Sequence, residues 1–346
     1  MDSFWSLGIA MAAAFLGTLV ITPKFIRLLE LEGITGRDMM KKDKPVVAEM
    51  GAPVVLFGFL SGIFIFIAGH TFISHFLTTE NLLTMLAVVS TIMIITFIGV
   101  LDELTCLIKE REGKGLFEKF KRKGLSQWMQ SILPFPAAIP LMAISAGVST
   151  ISIPFLGNLN LGIIYPLVLV PIAIVGTSNA TNMLAGFNGM QAGMGIVMMA
   201  FLGIFAYING STTALVLALV FAASLLAFWI YNRYPAKIFP GGLDYLVGTM
   251  VGCIAIVGNI EKFALICFAP WFLELLLKAR SGFKAENFGV LQKDGTLKAP
   301  YEKNYSLLHI IMHAGRFREW QVSAIMTGIV FVWCSAVSLV FWLKLV

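Results

Sequence analysis

Apolar runs long enough to cross a lipid bilayer recur along this whole chain, and they leave few folds open. A helix needs about 20 residues to span the hydrocarbon core. Backbone inside that core must satisfy its own hydrogen bonds, which restricts spanning elements to helices and closed barrels. Runs of suitable length lie at 4–22, 52–69, 82–101, 127–146, 161–184, 193–208, 212–230, 245–258, 262–277 and 322–345. They predict an all-α fold, a polytopic membrane bundle of about ten transmembrane helices. Residues 1–346 are expected to form one integral membrane domain, with 278–321 as a hydrophilic cytoplasmic loop before the last helix. Composition supports this reading: 58% of residues are hydrophobic and 13% are charged, a balance foreign to soluble domains. The first run lacks a basic leader and a small-residue cleavage site, so it reads as a retained helix. Cys106, Cys253, Cys267 and Cys334 stand alone in the sequence. With no C-x-x-C pair, they read as small buried apolar residues.

Charge is sorted by loop. Of the 25 basic residues, all but Lys262 and Lys344 fall in 23–50, 102–126, 231–244 and 278–321. With an even number of spans these loops share one side, which the positive-inside rule makes cytoplasmic, with both termini outside. Acidic residues crowd the same side: Asp38, Asp43, Glu49, Asp102, Glu103, Asp244, Glu286 and Asp294. Mixed charge at one mouth of a bundle suits an anionic substrate held with a divalent metal. A transporter more often places ionisable groups mid-span. Only Glu274 does so here, four residues before Lys278, and the two read as a snorkelling i,i+4 pair. Nucleic acid is not an expected partner.

Four stretches carry candidate chemistry. In "FIGVLDELTC", Asp102 and Glu103 end an apolar helix. Adjacent carboxylates need a cation or water between them, although a polar helix stop looks the same. In "SNATNMLAGFNGMQAG", Asn179 and Asn182 share a helix face, and their amide oxygens suit a hard cation. Asn188 follows in a turn shaped by Gly186 and Gly189. Interhelical packing and hydrogen bonding would explain one or two of these residues but not the whole run. "NRYPAKIFPGGLDYLVG" is a kinked loop that presents Phe239, an aromatic able to stack on a base, and ends in Asp244. A plain turn with an interfacial aromatic fits it equally well. In the hydrophilic insert, "KDGT" reads as a hairpin turn and Leu307–His313 as a short interfacial helix carrying His309 and His313 on one face. No third ligand makes a zinc site there. The stretch 111–128 reads as an amphipathic helix on anionic lipid.

Taken together, the motifs resemble the polyprenyl-phosphate N-acetylhexosamine-1-phosphate transferases of glycosyltransferase family 4. The likeness is greatest to the archaeal and eukaryotic UDP-GlcNAc–dolichyl-phosphate GlcNAc-1-phosphotransferases. It rests on "NATNMLAGFNG", "RYPAKIFPG", "ILPFPAAIPLM" and "AEMGAPVVLFG", in that family's order along nearly the whole chain. The resemblance implies transfer of a sugar-1-phosphate from a UDP-sugar donor to a polyprenyl or dolichyl phosphate acceptor, with release of UMP. It implies Mg2+, with Mn2+ as the alternative, to neutralise the donor diphosphate. By the same resemblance Asn182 and Asp244 are metal ligands, and Asp102, Glu103 and Lys123 are catalytic. Glu49, Gly186, Asn188 and Phe239 form the nucleotide site; Asn179, Lys284 and His309 are candidates to meet the sugar or its phosphate, with a plain surface position equally open for His309. A homodimer is left open as an assembly.

The chain departs from the family pattern at four places. Glu103 stands for the second Asp of an acidic pair. Gln130 stands for a lysine, with Lys123 nearby as a substitute. Lys284 is the candidate where an Arg-His-Arg run is replaced. Gly242 occupies the place of a metal-binding Asp, with Asp244 two positions on. Residues two apart lie about 200° apart around a helix, so Asp244 reaches the site only if the glycine turn is unwound. An Asp rebuilt at 242 is then expected to restore part of the rate lost at 244. The rival readings are a non-catalytic homologue that binds UDP-sugar or lipid carrier and, from another class, a membrane transporter.

Overall fold

The computed structural model describes residues 2–110, 131–153 and 157–343. Lys123 and the amphipathic stretch 111–128 lie outside the described residues. The described chain forms α1 (Asp2–Leu31), α2 (Ala52–Gly69), α3 (Thr79–Glu110), α4 (Ile139–Ala143), α5 (Val170–Met183), α6 (Met190–Ile208), α7 (Thr212–Asn232), α8 (Leu243–Gly258), α9 (Glu261–Cys267), α10 (Ala269–Ala279), α11 (Leu307–Ala314) and α12 (Glu319–Trp342). Among the described residues, sheet forms three antiparallel pairs: β1 (Thr35–Arg37) with β2 (Val46–Ala48), β3 (Thr150–Ile153) with β4 (Gly157–Asn160), and β5 (Val290–Leu291) with β6 (Leu297–Lys298).

The chain is a multi-pass helical membrane protein. Among the described residues, seven helices are long and apolar enough to span a bilayer. Of the ten expected spans, three take other forms. Helix α8 has 16 residues, about 24 Å at 1.5 Å per residue. The run 262–277 divides into α9 and α10, with Pro270 inside the first turn of α10, where a missing N–H does least harm. From residue 131 on, the run 127–146 is a 3-10 turn at Phe135–Ala138 followed by short α4, as its clustered prolines dictate.

Helices in lipid gain little from burying apolar surface, so small residues set their packing. On α2, a Cβ at Gly58 would stand 2.7 Å from Ala14 O, and one at Gly62 would stand 2.6 Å from Ala10 O. Close apposition of α1 and α2 therefore depends on those glycines. On α8, a Cβ at Gly248 would collide with Thr177 and Thr181 of α5, which keeps Asn182 close to α8. Trp5, Leu16 and Val20 stay exposed on α1, as on a lipid-facing helix.

Loop ends sort into two groups. Residues from loops 33–51, 185–189, 239–242 and 286–288 line one cavity. Asn81, Asn209 and Asn259 line another, from the opposite ends of their helices.

Glu274 and Lys278 behave differently from a snorkelling pair. Glu274 is fully buried, and its Oε2 accepts from Ser306 Oγ at 3.1 Å and from Leu307 N at 2.8 Å, capping α11. Lys278 Nζ donates to Ala285 O at 2.6 Å. Each tethers a different part of the hydrophilic insert, because both side chains face protein and not the lipid boundary. The insert forms the expected hairpin: Gln292 N donates to Thr296 O at 2.8 Å, and Gly295 has φ 84°.

Candidate active site

Three adjoining cavities open from the loop-bearing end of the bundle, and the third extends toward the opposite end. The first, of about 600 Å³, lies between the β1–β2 loop, the turn after α5 and the turn before α8. The second, also about 600 Å³, shares Ala185, Gly186, Glu286 and Phe288 with the first. The third, about 480 Å³, is apolar, runs between α5, α8, α9 and α10, and shares Ser131, Asn179 and Met183 with the second.

Backbone pairing builds the first cavity. Phe239 N donates to Ala48 O at 2.7 Å, and Gly51 N donates to Phe239 O at 3.0 Å. These bonds set Glu49 beside the ring of Phe239. A Cβ on Gly36 would stand 2.7 Å from Glu49 Oε2 and 3.3 Å from Phe239 Cε2, so the hairpin can approach only because that residue is glycine. Buried Asn232 fastens the other wall: its Oδ1 accepts from Gly189 N at 3.1 Å and its Nδ2 donates to Ile238 O at 2.8 Å. Gly186 has φ 123°, and a Cβ there would stand 2.8 Å from Phe288 Cε1.

Acidic residues converge on the first cavity, which Glu49, Glu103 and Asp244 line. Glu49 and Glu103 are hydrogen-bonded to each other, with Asp102 and Asp244 close by. Carboxylates so placed cannot all stay ionised without a cation. Asp102 Oδ2 lies 3.4 Å from Tyr245 Oη, and Asn182 is hydrogen-bonded to the same hydroxyl. A tyrosine hydroxyl has one proton. Given to Asp102, it obliges Asn182 to donate through Nδ2, so the amide oxygen of Asn182 is the end left for a cation.

Gly242 and Asp244 are resolved by the turn itself. Gly241 and Gly242 take φ 31° and 76°, and α8 begins only at Leu243. Asp244 then falls in the first helical turn and lines the first cavity with Glu49 and Glu103. Its Oδ1 accepts from Tyr245 N at 3.0 Å. A Cβ on Gly242 would stand 3.0 Å from Gly99 C and 3.1 Å from Gly99 Cα. A side chain at 242 would push α3 and α8 apart, contrary to the expectation that an Asp rebuilt there restores activity.

Of the three residues read as sugar or phosphate contacts, His309 and Lys284 sit otherwise. His309 is fully buried; its Nε2 is 2.9 Å from Glu286 O and its Nδ1 accepts from Tyr305 N at 3.3 Å. Burial pushes its pKa below the ordinary imidazole value. With both nitrogens engaged, His309 is a structural support of the insert and not a ligand. Lys284 is exposed and lines none of the three cavities. Its neighbours Glu286, Asn287 and Phe288 face the second cavity instead. Asn179 stands between the second and third cavities, its Nδ2 donating to Ser131 O at 2.8 Å and Val175 O at 2.9 Å.

Sequence reasoning missed Tyr245, Asn287, Gln191 and Lys278. Asn287 Nδ2 donates to Met183 O at 2.6 Å and Ala185 O at 3.0 Å, closing the carboxyl end of α5. Lys278 brings a cation to the second cavity. The one available signal was the density of polar residues at 286–287, next to the exposed lysine that drew attention.

Among the described residues, no three His, Cys, Asp or Glu side chains close on an ion by themselves. The oxygen donors present, two or three carboxylates and an amide, fit Mg2+ of the kind completed by substrate phosphates and water.

Known proteins resemble this chain along most of its length. The profile of glycosyl transferase family 4 matches residues 85–259. A Saccharolobus solfataricus protein provisionally named UDP-N-acetylglucosamine–dolichyl-phosphate N-acetylglucosaminephosphotransferase is 35% identical over 318 residues, 91% of this chain and 90% of its own. A Sulfolobus acidocaldarius protein with the same provisional name is 34% identical over 328 residues, 93% of each. The phospho-N-acetylmuramoyl-pentapeptide-transferase of Streptococcus pyogenes is 26% identical over 336 residues, 93% of this chain and 94% of its own. With half its length matching the family profile and relatives above 30% identity aligned nearly end to end, the chain belongs to glycosyl transferase family 4.

Proposed function

We propose that the protein transfers a sugar-1-phosphate, GlcNAc-1-phosphate by the names of its relatives, from a UDP-sugar to a polyprenyl or dolichyl phosphate with release of UMP. The observation that carries this reading is the continuity of an apolar groove with a middle cavity and, beyond it, a first cavity lined by an acidic cluster. A polyprenyl tail needs the groove, its phosphate the middle cavity beside Lys278, and a nucleotide the first cavity, where Phe239 offers a ring face.

The chemistry then follows from the residues. Asn182 and Asp244 would hold Mg2+, which would neutralise charge on the donor diphosphate. Tyr245 orients Asn182 and Asp102 through its hydroxyl. Asp102 orients the acceptor phosphate or takes its proton. Glu103 and Glu49 share the mouth of the nucleotide cavity and set its charge. Purified protein with Mg2+, UDP-GlcNAc and a short polyprenyl phosphate is expected to release UMP. Nucleotide binding without UMP release would favour the non-catalytic reading.

The basic loops support a cytoplasmic position for this end of the bundle, with both termini outside. A cysteine introduced at Lys293 is expected to resist labelling by an impermeant reagent added from outside, and one at Asn259 to accept it. The reverse pattern would invert the topology.

A further inference from the structure

A fourth cavity, of about 560 Å³, lies on the flank of the bundle between α6, α7 and α12. Along α6 it runs from Gly189 to Val197, about 12 Å at 1.5 Å per residue. Starting from the loop-bearing end, it stays within one leaflet of a hydrocarbon core about 30 Å thick. Ile196, Val197, Leu226 and Ala324 make its deep part apolar. Trp229, Arg233, Tyr234 and Trp320 line its mouth, and Trp and Tyr favour the membrane–water interface. Glycines keep the mouth open: a Cβ on Gly189 or Gly193 would stand 3.1 or 3.7 Å from Trp229 Nε1. Arg233 is exposed, and among the described residues no carboxylate and no hydrogen bond takes up its guanidinium. The guanidinium lies 5.6 Å from the centre of the Trp229 ring, while Lys41 Nζ lies 4.6 Å from that of Tyr234. A choline headgroup, which aromatic faces would otherwise hold, meets a cation at each of these rings. A phosphate with no positive charge attached meets an open guanidinium.

We propose that this groove binds one anionic phospholipid of the leaflet at the loop-bearing end. The phosphate sits on Arg233, and an acyl chain follows Ile196, Val197 and Leu226 into the bilayer. Lipid surrounds the flank of a multi-pass membrane protein, and basic groups at the interface draw anionic headgroups from it. The site is separate from the sugar-transfer reading, and either can fail without the other.

The test uses the full chain in a neutral detergent, stripped of native lipid. Phosphatidylglycerol and phosphatidylcholine with the same acyl chains are titrated in and followed by native mass spectrometry. The first lipid bound is expected to be phosphatidylglycerol, preferred by roughly fivefold or more. Arg233→Gln is expected to bring that preference to within about twofold. Lys24→Gln removes an exposed lysine of α1 at the same end of the bundle and is expected to leave the preference standing. An equal fall in both variants would mean diffuse attraction to a basic surface and overturns the site. Ala324→Trp fills the groove from an exposed position and is expected to weaken the first phosphatidylglycerol at least as much as Arg233→Gln does. Undiminished binding there overturns the proposal, and that variant decides alone if Arg233→Gln does not fold. Glycerol phosphate competing as well as the lipid would make this a site for a free phosphate ester. Loss of a dimer in Ala324→Trp with lipid binding unchanged would give the face to a second copy. Either result overturns the phospholipid.

Discussion

Asn182→Ala is expected to cut turnover by roughly a hundredfold or more, with folding and membrane insertion unchanged. The side chain is half-buried and faces the middle cavity, so its removal opens no void in the helix packing. What it removes is the amide oxygen left for a cation once Nδ2 is held by Tyr245. Loss of one positioned charge-stabilising group costs about 100- to 1000-fold in comparable sites. Steady-state UMP release across a Mg2+ titration, alongside thermal melting in detergent, checks this. Near-normal turnover at saturating Mg2+ would remove Asn182 from the metal site. Tyr245→Phe should fall between wild type and Asn182→Ala, since it frees the amide to rotate without deleting it.

The second large effect concerns Asp244 and the glycine before its helix. Asp244→Asn keeps an oxygen for the bond from Tyr245 N, now 3.0 Å, so the start of α8 is expected to hold. The charge is lost, however, and the Mg2+ concentration for half-maximal rate should rise about 10- to 100-fold. Gly242→Asp is not expected to compensate. Its φ of 76° disfavours any side chain, and a Cβ would stand 3.0 Å from the Gly99 backbone. Left-handed backbone costs a non-glycine residue about 1–2 kcal/mol, and the contact with α3 adds to that. Gly242→Asp should therefore melt at a lower temperature than wild type and leave the double variant as slow as Asp244→Asn alone. Recovery of rate in the double variant would show that the metal sits nearer residue 242 than this geometry allows.

Hydropathy and turn chemistry are local properties, and what depends on them was legible from the residues alone. The run 52–69 became α2 with those same ends, because Pro53 suits a helix start and the residues between, Ser61 aside, are apolar. The glycines around Asn188 and before Asp244 marked turns, and both turns do line the first cavity. The hairpin at "KDGT" followed from one glycine able to take positive φ. Which polar residue faces which neighbour was not legible. His309 and Lys284 have the chemistry of ligands, yet one is buried against Glu286 and Tyr305 and the other lies outside the cavities. Glu274 and Lys278 have the spacing of a helix-surface pair, yet each bonds to the loop packed over it. Asp38, Asn188 and Glu319 meet across separations of 150 and 131 residues. No periodicity encodes such meetings. They depend on how each helix is rotated and how closely glycines let its neighbours approach, and those are settled only when the whole bundle packs.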